Sequence, residues 1–151
     1  MNLQVTQARC RLGYLRGEEL PDIAVAMLQC GFDSQALREL AALDRPTLRD
    51  AGELFERALE ELDQPRFTVP VAREILLREL LTDIISGRID PGEGARELWA
   101  RAHDFETEDA WTVFIALYSE YEDHPAKRAV LGARIRAAAE TLLVEHQSRS
   151  A

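Results

Sequence analysis

The chain has 151 residues, 46% of them hydrophobic and 30% charged, and its 27 acids against 18 bases give a formal charge of -9. A chain of this length can bury about 68 to 70% of the surface it exposes when unfolded, so a self-sufficient core is expected without disulfides or metal. Its composition excludes a disordered chain, no apolar stretch approaches the roughly 18 residues of a membrane span, and Met1-Asn-Leu-Gln-Val-Thr-Gln lacks a signal-peptide core, so a cytoplasmic location is expected.

Val5, Ala8, Leu12 and Leu15 recur at helical spacing and predict a first helix over about 3–16, ended by Gly17. Pro21 to Cys30 contains only two polar residues, Asp22 and Gln29, and reads as a short, largely buried helix stopped by Gly31. Cys10 and Cys30 make no disulfide framework and are expected as small buried hydrophobes. Asp33 is the expected N-cap of a helix through Leu43 whose inner face is Leu37, Leu40 and Leu43.

After Asp44-Arg-Pro46 the stripe Leu48, Ala51, Phe55, Ala58, Leu59 and Leu62 predicts a long amphipathic helix closed by Pro65. Residues 71–86 read as a central apolar helix, with Leu76, Leu77, Leu80, Leu81, Ile84 and Ile85 covering about half its circumference. Asp90-Pro91 caps the next helix, through about His103; Thr107 caps another, through Tyr121; the last runs over about 125–145. The expected fold is all-α: one domain over 1–146, about eight helices around the central one, with 147–151 as a frayed tail. Gly17-Glu-Glu-Leu-Pro21 and Gly87-Arg-Ile-Asp-Pro91, 70 positions apart, suggest an internal duplication, although helix-corner grammar alone also produces such matches.

Charge is segregated along the chain. Residues 1–16 carry three arginines and no acid, 17–63 carry 12 acids against 4 arginines, 106–123 hold six acids and no base, and 124–151 return to +3. A field of net negative sign disfavours nucleic acid and attracts basic proteins. In 49–61 the charges alternate at i, i+4 and pair within the helix, whereas the block 106–123 lacks internal compensation and is the better interface candidate. Trp111, Phe114, Tyr118 and Tyr121 follow 3-4-3 spacing and share one surface, which reads as core with one or two tyrosines partly exposed.

No nucleophile with its base, no phosphate-cradling loop and no metal-ligand cluster occurs in the sequence. Glu120 and His124 stand at i, i+4, but two ligands are too few, so no metal and no cofactor are expected. Gly92 and Gly94 flank Glu93 after Pro91 without a nearby lysine and are expected to permit close helix packing.

The runs Arg11-Leu-Gly-Tyr-Leu-Arg-Gly-Glu-Glu-Leu-Pro21, Gly31-Phe-Asp-Ser-Gln-Ala-Leu-Arg-Glu-Leu-Ala41 and Asp90-Pro-Gly-Glu-Gly-Ala-Arg-Glu-Leu-Trp99 resemble a group of small uncharacterised proteins of actinobacterial type. The resemblance implies a helical fold and a bacterial cytoplasm, and carries no activity and no functional residues. The expected function is non-enzymatic binding of a basic protein, as an adaptor or an immunity-type inhibitor, through Glu106, Glu108, Asp109, Tyr118, Glu120, Tyr121, Glu122 and Asp123. A self-associating module such as a homodimer, and an enzyme or ligand-binding protein with an inter-helix pocket, are the alternatives.

Overall fold

A computed structural model describes residues 2–102 and 108–150 (at 108–111, 149 and 150 the backbone alone). The fold is all-α: α1 (Leu3–Arg11), α2 (Leu20–Gln29), α3 (Gln35–Ala41), α4 (Leu48–Glu61), α5 (Val69–Ser86), α6 (Pro91–Ala100), α7 (Glu108–Asp123) and α8 (Arg128–Ser150), with no strand among the described residues. None of the helices is long and apolar enough to cross a membrane. Contacts divide the chain into two compact units, Met1–Ala72 and Arg73–Ala151.

In the first unit, α2, α3 and α4 pack around Leu20, Met27, Leu37, Leu40 and Phe55, all fully buried. The helix starts come from short polar side chains. Ser34, rather than the expected Asp33, caps α3 by accepting from the Leu37 amide at 3.1 Å, and Asp33 instead holds Arg38 through two 2.7 Å hydrogen bonds. Thr47 caps α4 from the Asp50 amide at 3.2 Å. Glu61, at the far end of α4, accepts from the Ala36 amide at 2.8 Å, an interaction that lowers its carboxyl below the ordinary 4.5 and ties the start of α3 to the end of α4.

Four of the stops are Schellman turns. Gly13, at φ +72°, ends α1 with Tyr14 N–H donating to Arg9 O at 2.9 Å and Gly13 N–H to Cys10 O at 3.1 Å, four residues before the expected stop at Gly17. Gly31 ends α2 the same way, and Gly87 ends α5. Asp63, at φ +53°, does this for α4 without a glycine. Gly17 has another duty. It opens a 3-10 turn (Gly17–Glu19) whose backbone lies against Pro46, Thr47 and Leu48, so a Cβ there would meet backbone atoms at 2.5–2.6 Å. The corners at Gly17 and Gly87 are therefore built differently.

The second unit buries Leu77, Leu81 and Ile84 of α5, Leu98 of α6, Phe114 of α7 and Ile135 of α8 in one core. Asp90 caps α6 from the Gly92 and Glu93 amides at 2.9 and 3.2 Å, as expected, and α6 ends at Ala100, short of the expected His103. A 3-10 turn (Pro125–Lys127) leads into α8, which runs on through Ser150 over the segment expected to be a tail.

Gly17→Ala is expected to destabilise the protein by about 2 kcal/mol, because backbone cannot yield as a side chain can. Gly52→Ala, inside α4 with open space around its Cβ position, is expected to stabilise it by about 0.5 to 1 kcal/mol. Urea denaturation midpoints of the two variants check both signs.

Candidate functional site

Helix α7 turns Phe114, Leu117 and Tyr121 into the core at 3-4 spacing and leaves Tyr118 half-buried against the same cluster. Tyr121 is only 8% exposed. Its hydroxyl donates to Asp90 Oδ2 at 2.9 Å, the Arg128 guanidinium stands 5.3 Å from its ring centroid, and Gly92 lies so close that a Cβ there would meet the ring at 2.5 Å. Burial, and then the Asp90 carboxylate, raise the phenol above its ordinary 10, so it stays a neutral donor at physiological pH. This residue was expected in a partner-binding surface; the structure places it in the core, with its hydroxyl bonded to the carboxylate that caps α6. Gly92 and Gly94 do permit close packing, against Tyr121 and Ile84 respectively.

The acids of α7 divide differently from the sequence pattern. Glu120 lies 3.3 Å from Arg134 and Glu122 lies 3.9 Å from Arg128, so arginines of the following segment supply compensation that the block 106–123 lacks in itself. Glu106 lies outside the described residues, as do the side chains of Glu108 and Asp109. Asp123 is exposed at the end of the helix and makes no ion pair among the described residues. The remaining surface of α7 has two shoulders: Val113, 50% exposed, stands seven residues before Glu120 on one, and Ile115, 39% exposed, stands seven before Glu122 on the other. Thr112, Ala116, Ser119 and Asp123 lie between them, all exposed. The face is thus apolar toward its start and acidic toward its end.

A second place, in the first unit, has no counterpart in the sequence reading. Between α1, α4 and the segment 65–67 lies a cavity of about 120 Å³ bounded by Gln7, Arg11, Glu56, Leu59, Arg66 and Phe67. It neighbours a wider, shallow groove of about 500 Å³ that shares Arg11, Glu56 and Arg66 and adds Cys10. Burial, and secondarily Glu56, push the Cys10 thiol up to about 11, so it is protonated at neutral pH and is a poor nucleophile. Cys30, expected to be buried, is exposed. Gln7 is 5% exposed, and its Nε2 has no hydrogen-bond partner among the described residues. The only sequence signal for it is a polar side chain on the same helical face as Leu3 and Arg11.

Glu74, on α5, bonds Arg78 at 2.7 Å and lies 3.1 Å from His146 Nδ1, a link 72 residues long that no local pattern marks. No group of three or more His, Cys, Asp and Glu side chains among the described residues could hold a metal ion. No family model, curated protein or solved structure matches the chain.

Tyr121→Phe is expected to lower stability by about 1 kcal/mol, and Asp90→Ala by about 2, since the latter removes a helix cap as well as the tyrosine's acceptor. A double-mutant cycle measured by urea unfolding should give a coupling of about 1 kcal/mol; strict additivity would mean that the hydrogen bond contributes nothing.

Proposed function

We propose that this protein is a non-enzymatic module that binds another protein bearing a basic surface, as an adaptor or immunity-type inhibitor, and that the outward face of α7 makes the contact. The observation that carries this reading is the exposure of Val113 and Ile115 on a helix whose opposite face is core and whose second half ends in Glu120, Glu122 and Asp123. Apolar side chains can seat a partner, and acids beside them select one of opposite charge and accelerate its encounter. Tyr118, half-buried at the edge of the core, adjoins this face. Its resemblance to small proteins of actinobacterial type supports a bacterial cytoplasm as the proposed location.

The arginine pairs of Glu120 and Glu122 refine the reading. A basic partner competes with Arg134 and Arg128 for those carboxylates, so recognition is expected to be salt-sensitive and of modest strength, with specificity resting on the Val113 and Ile115 contacts. A homodimer through the same face is the second arrangement such a surface allows.

Affinity capture with the wild type, with Val113→Lys/Ile115→Lys, and with Glu120→Gln/Glu122→Gln/Asp123→Asn tests the proposal. The wild type is expected to retain one basic protein at low salt and release it at high salt. The lysine pair should abolish retention, and the neutralised triple variant should weaken it at least about tenfold. Equal retention by all three proteins, or retention of the chain's own second copy alone, contradicts it.

A further inference from the structure

The cavity beneath α1 has its own chemistry, independent of α7. Its bounding side chains include two guanidiniums, Arg11 and Arg66, and one carboxylate, Glu56, in a chain of net charge -9. Arg66 is committed to Glu60, with Glu56 a further 3.9 Å contact, whereas Arg11 makes no ion pair among the described residues. Gln7 adds a buried amide nitrogen without a partner among the described residues. A buried donor left unmade is unfavourable, and proteins rarely leave one without water or ligand to satisfy it. Leu59 and Phe67 supply an apolar wall.

We infer that this cavity is a binding site for a small monocarboxylate, whose oxygens accept from the Gln7 amide and the Arg11 guanidinium while its alkyl end packs on Leu59 and Phe67. Size and charge argue for that class. A volume of about 120 Å³ corresponds to roughly four water molecules, room for a compound of acetate or propionate size. Glu56 repels a second negative charge, so a singly charged carboxylate fits where a phosphate dianion does not. The planar guanidinium of Arg11 can meet a carboxylate with two parallel hydrogen bonds.

Calorimetric titration of the full chain at pH 7 and constant ionic strength, with propionate, propionamide and N-acetyl-alanylalanine as probes, tests the site. Propionate is expected to bind saturably and propionamide not to bind. Arg11→Gln, on an exposed residue, should raise the propionate dissociation constant at least tenfold. Gln7→Leu should do the same while raising the melting temperature of the unliganded protein, because it removes an unpaired buried amide; a purely structural glutamine would give a lower melting temperature and no ligand effect. N-acetyl-alanylalanine that competes with propionate and loses affinity in Arg11→Gln, its chain lying in the adjoining groove that shares Arg11, supports the same carboxylate site and assigns its source to a peptide end. Equal binding of propionamide, or propionate heats unchanged by both substitutions, overturns the inference.

Discussion

The hydrogen bond from Tyr121 to Asp90 fixes more of the second unit than its own strength implies. Asp90 caps α6 with one oxygen and accepts from Tyr121 with the other, and a Cβ at Gly92 would stand 2.5 Å from the tyrosine ring. Gly132, whose Cβ position would lie 3.3 Å from Pro91, brings α8 against the same point. The start of α6, the end of α7 and the start of α8 are thus joined around one aromatic ring, with the Arg128 guanidinium over it. Once Tyr121 is held inward, helical geometry leaves little freedom for its neighbours: Phe114 and Leu117 must be core, Val113 and Ile115 fall on the two shoulders, and Ala116 faces away. The proposed binding face is a consequence of that anchoring.

Charge in sequence and charge in space are different quantities here. The block 106–123 contains no base, yet Glu120 and Glu122 find Arg134 and Arg128 in the following segment. In the first unit Glu39, outside the i, i+4 pattern of α4, takes the Arg57 guanidinium at 2.8 Å. Such exposed pairs contribute little to stability, about 0 to 1 kcal/mol each, but they neutralise the field at close range. For the proposed basic partner, the net charge of -9 would therefore act mainly through the longer-range field, screened over a Debye length of about 8 Å at physiological salt, and contact specificity would fall to the exposed apolar side chains.

Much of the helical layout was legible because it rests on local rules. The stripe from Ala51 to Leu59, the stop at Gly31, the Asp90-Pro91 start and the inward spacing of Phe114 and Tyr121 each follow from side-chain periodicity or capping within a few residues. The departures come from contacts that sequence spacing does not encode. Gly17 looks like a helix stop, but it is small because the backbone of 46–48 lies against it, and the true stop, Gly13, sits inside an otherwise apolar helical pattern. Asp63 takes a left-handed turn that would ordinarily signal glycine. For the site, the aromatic core and the acidic end of α7 were readable, whereas the capture of Tyr121 by Asp90, 31 residues away, and the unpaired amide of Gln7 depend on which helices meet.

The central claim, that α7 turns a free apolar and acidic face toward a basic partner, is tested most directly by placing a photo-crosslinking amino acid at one exposed position at a time. Val113 and Ser119 probe the face, and Val25 on α2 serves as the control. The account predicts that one basic protein is crosslinked from positions 113 and 119 at low salt, with loss of both products at high salt, and none from position 25. Crosslinking of that protein from position 25 alone, or no product from position 113 under any salt condition, would contradict it.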